Sequence, residues 1–426
     1  MKQFDISGGI SLNYIEDKKF KTTTLLVAIH TPLCRNSASK NALLPLVLKR
    51  GSKNYKTFDE MERKLSSLCG AELLCNVIKR GEDQVLCFEM SVISDKYSID
   101  EKDILKQSSN LLLDVIFNPL IKDGGFLKEY VESEKTNLCD MIDAGINDKQ
   151  NYALWRLYEN MCAGENFGIH ELGVKEDILN IDEKDLYEHY KTVVETAPID
   201  IFVCGEADIS DFELSLKDAL KEVVRNPKKY PKTVPHEKRD EVLNACDEFD
   251  ANQAKLSLGF STGIGFKSDM YYSLIVANSI FGSGVHSKLF NNVREKLSLA
   301  YYAFSRLERR KQIMLVGMGI EEKNYQKALD ETLLQKELLQ KGEVSDEEFN
   351  SAIMFLTNNA RSVKDSQLSL IMFYLDNKID GVCIMPDDYC EKIKSVTKES
   401  AIEAFKNVCL DTIYLLKGKT KDGKEE

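Results

Sequence analysis

The sequence has few histidines, and none of them stands in a motif that holds a catalytic metal. Five histidines occur in 426 residues, and no two of them form a His-x-x-x-His or His-x-x-Glu-His pattern. A zinc site built from two histidines of one helix is therefore excluded. A cysteine nucleophile that pairs with a histidine elsewhere in the chain stays open, because sequence spacing neither shows nor forbids such a pair.

The chain also lacks paired cysteines. Its eleven cysteines are scattered singly, without one Cys-x-x-Cys, and several stand among apolar neighbours. An odd number of isolated cysteines predicts reduced, mostly buried thiols rather than disulfides. Because metal-ligand spacing is missing, we expect no metal and no other cofactor in this chain.

Long apolar runs and excess positive charge are absent as well. No segment approaches the roughly 18 consecutive apolar residues of a membrane-spanning helix, and residues 1–9 contain no apolar signal core. The formal net charge of −12 disfavours binding to nucleic acid and to anionic membranes. We therefore expect a cytoplasmic protein that binds neither nucleic acid nor a membrane.

What is present is an ordinary globular composition, 43% hydrophobic and 30% charged, in a chain long enough for two domains. Strand patterns at 23–29 and 85–93 precede a helical pattern at 104–117. A similar order of elements returns from residue 254 onward, and it ends in a long helical pattern at 345–374. The chain is therefore predicted to be α+β, with two similar domains, each a mostly antiparallel sheet with helices on one face.

The domain boundaries follow from composition. Residues 217–242 are rich in lysine, proline and other charged residues, which is typical of a solvated connector. We predict an N-terminal domain at 1–216, a charged connector at 217–250 and a C-terminal domain at 251–426.

The segment 294–301, Arg-Glu-Lys-Leu-Ser-Leu-Ala-Tyr, is the strongest functional candidate. If it is helical, Arg294 and Tyr301 are seven residues apart and lie on one helix face, about two turns from each other. Together they could grip a peptide carbonyl. In the alternative interpretation, Arg294 is a solvated helix residue and Tyr301 is a core residue that begins a strand.

Gly282, Ser283 and Gly284 precede a helical pattern at 287–297. Backbone N–H groups in such a loop can bind an anion, but the Gly-Lys-Ser/Thr ending of a phosphate loop is missing. Helix capping by Ser283 or Ser287 is the simpler interpretation, and contact with an extended peptide is a third.

Residues 287–290, Ser-Lys-Leu-Phe, followed by 294–301, resemble the second-domain signature of the pitrilysin/insulinase metallopeptidases. Residues 158–190 are similar to the segment that closes the first domain in that family. The resemblance implies that Arg294 and Tyr301 bind the substrate backbone near the scissile bond, and that Gly282, Ser283 and Gly284 help to hold substrate. It also implies two α+β domains of like topology, which face another such pair across a closed chamber.

The family's zinc motif is missing at the corresponding positions. Residues 49–52 are similar to the turn after the metal-binding helix, and this alignment places Ala42, Pro45 and Leu46 where the family has His-x-x-Glu-His. Counting along a later helix places Met141 at the third ligand. None of the four side chains binds zinc as imidazole or carboxylate does. Pro45 is also expected to bend or end its helix.

Without these ligands the chain cannot be a zinc peptidase on its own. Some members of the family work as pairs, in which one chain carries zinc and the other supplies the arginine and tyrosine. We expect this chain to be a non-catalytic, substrate-binding subunit that completes the site of a homologous zinc-bearing chain acting on peptides or unfolded proteins. The resemblance also suggests a link to the modification of elongation factor P. An inactive scaffolding protein and a different enzyme on the same fold remain the alternatives.

Overall fold

The computed structural model describes residues 1–98, 103–221, 223–230, 232–249 and 253–418. Contacts between residues divide the chain into two compact units, and each unit includes a segment from the other half of the chain. The first unit consists of Met1–Asp143, Ile169–Lys232 and Asp365–Ile379. The second consists of Ala144–Gly168, Thr233–Lys364 and Asp380–Glu426.

The strands of the described residues form two main sheets and one two-stranded ribbon. In chain order they are β1 (Lys2–Ser7), β2 (Ile10–Glu16), β3 (Thr22–Pro32), β4 (Glu72–Arg80), β5 (Asp83–Ile93), β6 (Ile121–Lys122), β7 (Gly125–Phe126), β8 (Ile199–Gly205), β9 (Leu243–Phe249), β10 (Ala254–Ser261), β11 (Ala300–Glu308), β12 (Ile313–Ile320) and β13 (Cys409–Gly418).

The α-helices of the described residues lie between these strands. They are α1 (Arg35–Lys49), α2 (Phe58–Ser67), α3 (Ile104–Phe117), α4 (Lys128–Asn147), α5 (Lys149–Met161), α6 (Lys175–Leu179), α7 (Glu183–Thr196), α8 (Ile209–Ala219), α9 (Tyr271–Phe281), α10 (Tyr325–Gln340), α11 (Asp346–Ser362), α12 (Gln367–Asp380), α13 (Pro386–Lys394) and α14 (Lys398–Phe405).

The sheet of the first unit has the order β1-β2-β8-β3-β5-β4, and only the β2–β8 pair is parallel. Its central strand β3 is rich in threonine and aliphatic residues and is buried almost throughout, as expected for a strand covered on both faces. Thr31 faces α1, where Asn41 Nδ2 donates to its hydroxyl at 3.1 Å. Thr22 and Thr24 point to the opposite face and donate to Gln367 Oε1 of α12.

The sheet of the second unit has the order β11-β12-β10-β13-β9. Met314, Val316 and Met318 of β12 point into a large apolar core that α9, α10 and α14 also line. Leu315, which points the other way, packs with Leu154 and other residues of α5. Glycine on this face lets the helix approach closely: a Cβ on Gly259 would lie 2.5 Å from Met161 Sδ.

Two mostly antiparallel sheets with helices confirm the predicted α+β class. Within the described residues, α12 contacts the face of the first sheet opposite α1, and α5 packs on the face of the second sheet opposite the core that α9, α10 and α14 line. The boundaries at 1–216, 217–250 and 251–426 remain a prediction. The segment predicted as a connector contains β9, whose residues alternate between half-buried and exposed at the edge of the second sheet.

The cysteines are all unpaired, as predicted. The expectation that most of them are buried is wrong. Four are buried, four are half-buried and three, Cys69, Cys246 and Cys383, are exposed.

Candidate functional site

The segment that carries Arg294 is a π-helix, Leu289–Lys296, rather than an α-helix. The N–H of Leu297 donates to the Asn292 carbonyl, five residues back, at 3.1 Å. Leu289 and Val293 anchor the turn in the apolar core of the second unit. π-turns are rare and occur often at functional sites, because they redirect the side chains that follow.

Arg294 is held by contacts within its own turn. Its guanidinium lies 4.5 Å from the centre of the Phe290 ring, and Nη1 lies 3.3 Å from Glu295 Oε1. Its side chain is 40% exposed, so these contacts orient the group without burying it. A cation over an aromatic face at the surface contributes about 0.5–1 kcal/mol, which is enough to favour one orientation.

Tyr301 does not share a helix with Arg294, and the prediction that both lie on one helix face is wrong. The π-helix ends at Lys296, Ser298 takes a left-handed backbone with φ of 51°, and β11 begins at Ala300. Residues from Ala300 onward form a strand instead of continuing the helix, because β11 pairs along nearly its whole length with the fully buried β12.

The register of β11 against β12 shifts between Ala300 and Tyr302, so Tyr301 is the extra residue of a β-bulge. Bulges commonly redirect a side chain at a sheet edge, and β11 is the edge strand. Tyr301 is 52% exposed, and its hydroxyl donates to Glu321 Oε1 at 3.4 Å. Glu321 is itself paired with Lys323 at 2.6 Å, which leaves the tyrosine hydroxyl a weakly held, accessible donor.

The loop of Gly282, Ser283 and Gly284 is tied to the same edge strand. The Gly282 carbonyl accepts from the N–H of Ser305 in β11 at 2.8 Å, and the Ser283 N–H donates to the Asn278 carbonyl. A Cβ on Gly282 would lie 2.5 Å from Ser305 Oγ, so the glycine is needed for this close approach. The loop thus lies beside the strand of Tyr301, and its role in holding substrate stays a prediction.

The positions that the family resemblance assigns to the zinc motif carry no metal ligand. Ala42 and Pro45 are buried in α1, Leu46 is half-buried, and Met141 is exposed on α4. The helix continues past Pro45 to Lys49, so the proline does not end it. Zinc in proteins is bound by imidazole, thiolate or carboxylate groups, and none of these four side chains offers one.

An amide network stands next to this position instead. Asn41 Nδ2 donates to Gln84 Oε1 at 2.9 Å, and Asn41 Oδ1 lies 2.7 Å from His189 Nε2. Burial and the nearby charge of Lys40 lower the pKa of His189 to about 4. The histidine is therefore neutral at pH 7, and its Nε2–H donates a hydrogen bond to Asn41 Oδ1. This contact gives His189 a structural role rather than a catalytic one.

The sequence also contains one match to Gly-x-Ser-x-Gly, the pattern of the serine-hydrolase elbow, at Gly259–Gly263. It does not form an elbow. Ser261 closes β10 and pairs with Ile313 on one side and Cys409 on the other, while the next helix begins ten residues later at Tyr271. A strained strand-to-helix turn is what exposes such a serine, and this serine is buried.

Comparison with known proteins decides the family. The chain is 32% identical over 417 residues to the "Probable inactive metalloprotease YmfF" of Bacillus subtilis, with 96% of each chain covered. Residues 180–356 match the family described as "Peptidase M16 inactive domain". The chain belongs to the peptidase M16 family. The resemblance to the pitrilysin/insulinase metallopeptidases is thereby confirmed, and the chain is a member without the zinc motif.

Solved structures of other proteins share the fold. A conserved protein from Enterococcus faecalis V583 superposes with a TM-score of 0.91, is 26% identical, and 99% of each chain is covered. A peptidase M16 inactive domain from Pseudomonas fluorescens has a TM-score of 0.80 over 100% of this chain and 99% of its own, at 15% identity. Within the described residues, no helix has the length and apolar character needed to cross a membrane.

The structure also contains a cluster of potential metal ligands that the sequence did not predict. Cys162, Glu165 and His236 bring a sulfur, an oxygen and a nitrogen together in the second unit. The only local signal is the spacing Cys-x-x-Glu, which is common by chance, and the histidine follows 71 residues after the glutamate. Only the tertiary structure brings these groups together.

Proposed function

We propose that this M16 chain is a non-catalytic subunit that binds substrate for a homologous, zinc-bearing partner chain. Arg294 and Tyr301 would hold the backbone of a peptide or unfolded protein at the partner's site. The partner would supply the zinc, because Ala42, Pro45, Leu46 and Met141 offer none of its ligands. The cytoplasm is the proposed location, and the link to elongation factor P modification is part of the same proposal.

One observation carries this proposal. Arg294 and Tyr301 are both exposed at the surface of the second unit, and each is oriented by weak contacts. Arg294 contacts Phe290 and Glu295, and the hydroxyl of Tyr301 donates to Glu321. A π-turn presents the first and a β-bulge the second, and both irregularities are typical of functional positions. A purely structural role would be expected to leave such side chains either buried or unrestrained.

The test is to purify the chain with a zinc-bearing M16 chain of the same organism and to measure cleavage of unfolded peptides. We expect cleavage to need both chains, and Arg294→Ala, which removes a group that holds the substrate backbone, to lower kcat/KM about 100-fold. Tyr301→Phe, which removes only the hydroxyl, should lower kcat/KM by about tenfold or more.

Matched controls separate this effect from general damage. Arg361→Ala on α11 and Tyr97→Phe remove an exposed arginine and an exposed tyrosine hydroxyl elsewhere. Both should leave the rate unchanged, and gel filtration should show the same complex for every variant. If the complex forms and cleaves equally well with Arg294→Ala and Tyr301→Phe, the alternative of a scaffolding protein is the better one.

A further inference from the structure

Three potential metal ligands converge in the interior of the second unit, whereas Ala42, Pro45, Leu46 and Met141 belong to the first. Cys162 follows the last residue of α5, Glu165 lies in the next turn, and His236 lies in the extended segment before β9. One potential ligand atom from each of Cys162, Glu165 and His236 lies within 4.8 Å of the other two. The sulfur is 3.9 Å and the carboxylate oxygen 2.6 Å from the imidazole nitrogen.

A second layer of charged groups orients these ligands. His236 Nε2 lies 3.2 Å from Asp411 Oδ2, on β13, and the Asp411 side chain is fully buried. The Arg239 N–H donates to the same carboxylate oxygen at 3.0 Å. Glu165 Oε2 is paired with Lys311 Nζ at 2.5 Å. A histidine whose outer nitrogen bonds a carboxylate, with that carboxylate itself hydrogen-bonded, is the usual outer arrangement of a zinc ligand.

We propose that Cys162, Glu165 and His236 form a binding site for a divalent transition-metal ion of the zinc type. Sulfur, imidazole nitrogen and carboxylate oxygen together are the donors that zinc takes in proteins. Tetrahedral bonds of about 2.0 Å to nitrogen and 2.3 Å to sulfur separate those two atoms by about 3.5 Å, close to the observed 3.9 Å. Two tetrahedral bonds of about 2.0 Å separate nitrogen and carboxylate oxygen by about 3.3 Å, so Glu165 Oε1, at 2.6 Å from the nitrogen, has to move outward by about 0.7 Å.

Glu165 is the ligand that can make this movement. Its side chain is 27% exposed and lies in a turn, whereas the Cys162 and His236 side chains are enclosed. The exposed edge of the glutamate also provides the route by which an ion enters. The same enclosure argues against Cys162 as a catalytic nucleophile, because a substrate carbonyl cannot reach a sulfur with no exposed surface.

A bound ion needs Cys162 as a thiolate and His236 with an unprotonated Nδ1. Any protons that these two atoms carry without the ion are released to solvent when it binds.

Cobalt(II) added to the full-length, reduced and chelator-treated chain is the direct probe. We expect one ion per chain, a near-ultraviolet charge-transfer band from the thiolate and the visible bands of tetrahedral cobalt, with zinc displacing the cobalt. Cys162→Ser should abolish the charge-transfer band. Asp411→Asn, which changes only the outer layer, should weaken binding roughly 10- to 100-fold.

The control is Cys390→Ser, which alters another buried cysteine of the same unit. This variant should keep the cobalt spectrum of the unchanged chain. Should Cys162→Ser fail to fold, Glu165→Gln at the exposed edge replaces it and should weaken binding at least tenfold. Absence of the charge-transfer band in the unchanged chain, or its persistence in Cys162→Ser, would mean that the cluster is an ion-pair network only. This outcome is independent of the peptidase assay.

Discussion

Lys378 Nζ, on α12, lies 2.9 Å from Asp200 Oδ1, on β8. The lysine also donates to Ser11 Oγ at 2.6 Å, and His30 Nε2 lies 3.2 Å from the other oxygen of the aspartate. Burial raises the pKa of Asp200, but the hydrogen bonds and charges of His30 and Lys378 outweigh it and lower the pKa to about 2. A helix from the last quarter of the chain is thus attached to the first sheet through polar contacts.

Replacing this lysine should destabilise the first unit. Lys378→Met leaves the charge of Asp200 without its ammonium partner, and we expect about 2 kcal/mol less unfolding free energy, since both side chains are mostly buried. Urea denaturation followed by circular dichroism measures this. Lys394→Met breaks an exposed ion pair with Glu391 and should change stability by less than about 0.5 kcal/mol. Equal effects of the two substitutions would contradict the role of the buried pair.

The neutral state of His189 predicts a pH dependence of stability. Its pKa is about 4 in the folded chain against 6.5 in the unfolded chain, so the unfolded state binds an extra proton between these values. Stability should therefore fall as pH falls from 6.5 to 4, by up to about 3 kcal/mol from this residue.

His189→Gln keeps a donor for Asn41 Oδ1 but does not titrate. We expect its unfolding free energy to fall less steeply than that of the unchanged chain over the same pH range. A residual slope is expected, because burial also lowers the pKa of His170 and His286. If the denaturation midpoints of both proteins change with pH in the same way, the pKa of His189 is not lowered by folding, and the prediction is wrong.

A methyl group on Gly282 should disrupt the loop beside β11. The added Cβ of Gly282→Ala would lie 2.5 Å from Ser305 Oγ and 2.8 Å from Leu289 Cδ1. We expect a loss of about 1–3 kcal/mol, typical of overpacking. Gly145→Ala in α4 is the matched control: nothing lies within 4 Å of its added Cβ, and helix propensity predicts a gain of about 0.5–1 kcal/mol. Thermal unfolding of both variants distinguishes packing from loop flexibility as the reason for the glycine.

The alignment of the lost zinc motif can be tested by restoring it. Ala42→His, Pro45→Glu, Leu46→His and Met141→Glu, combined in one chain, should recreate two imidazoles, the base and the third ligand. In a Cys162→Ser background, we expect one zinc ion per folded chain by metal analysis after dialysis. The same chain with Met141 unchanged should bind zinc at least tenfold more weakly. If both bind alike, Met141 is not the third position.

The elements that the sequence predicted well are those with an unambiguous local pattern. The α3 helix, Ile104–Phe117, has the predicted bounds, and β3 and β5 contain the predicted strands, because buried apolar runs dominate their energetics. The helix expected at 345–374 is divided by a short 3-10 turn, Val363–Asp365. After that turn α12 belongs to the first unit rather than the second, and neither a proline nor a glycine marks the break in the sequence.

Strands with mixed patterns were not predicted. In β4 and β9, exposed and half-buried residues dominate, since both are edge strands of their sheets. The β9 strand also pairs in parallel with β13, about 170 residues away, so its partner cannot be recognised from local spacing. The placement of Arg294 and Tyr301 on one helix face was wrong for a related reason: pairing of β11 with β12 overrides the helical spacing of residues 294–301.

By itself, the sequence determined the α+β class, the family resemblance and the loss of the zinc motif, because each depends on which residue types stand at which spacing. Only the tertiary structure decided how Arg294 and Tyr301 are presented, from a π-turn and a bulged edge strand, since strand pairing is a long-range interaction. It alone also brought Cys162, Glu165 and His236 together. Ligands that come from distant segments form no recognisable spacing pattern in the sequence. Cys162 and Glu165 are positioned because α5, which they follow, packs against the second sheet.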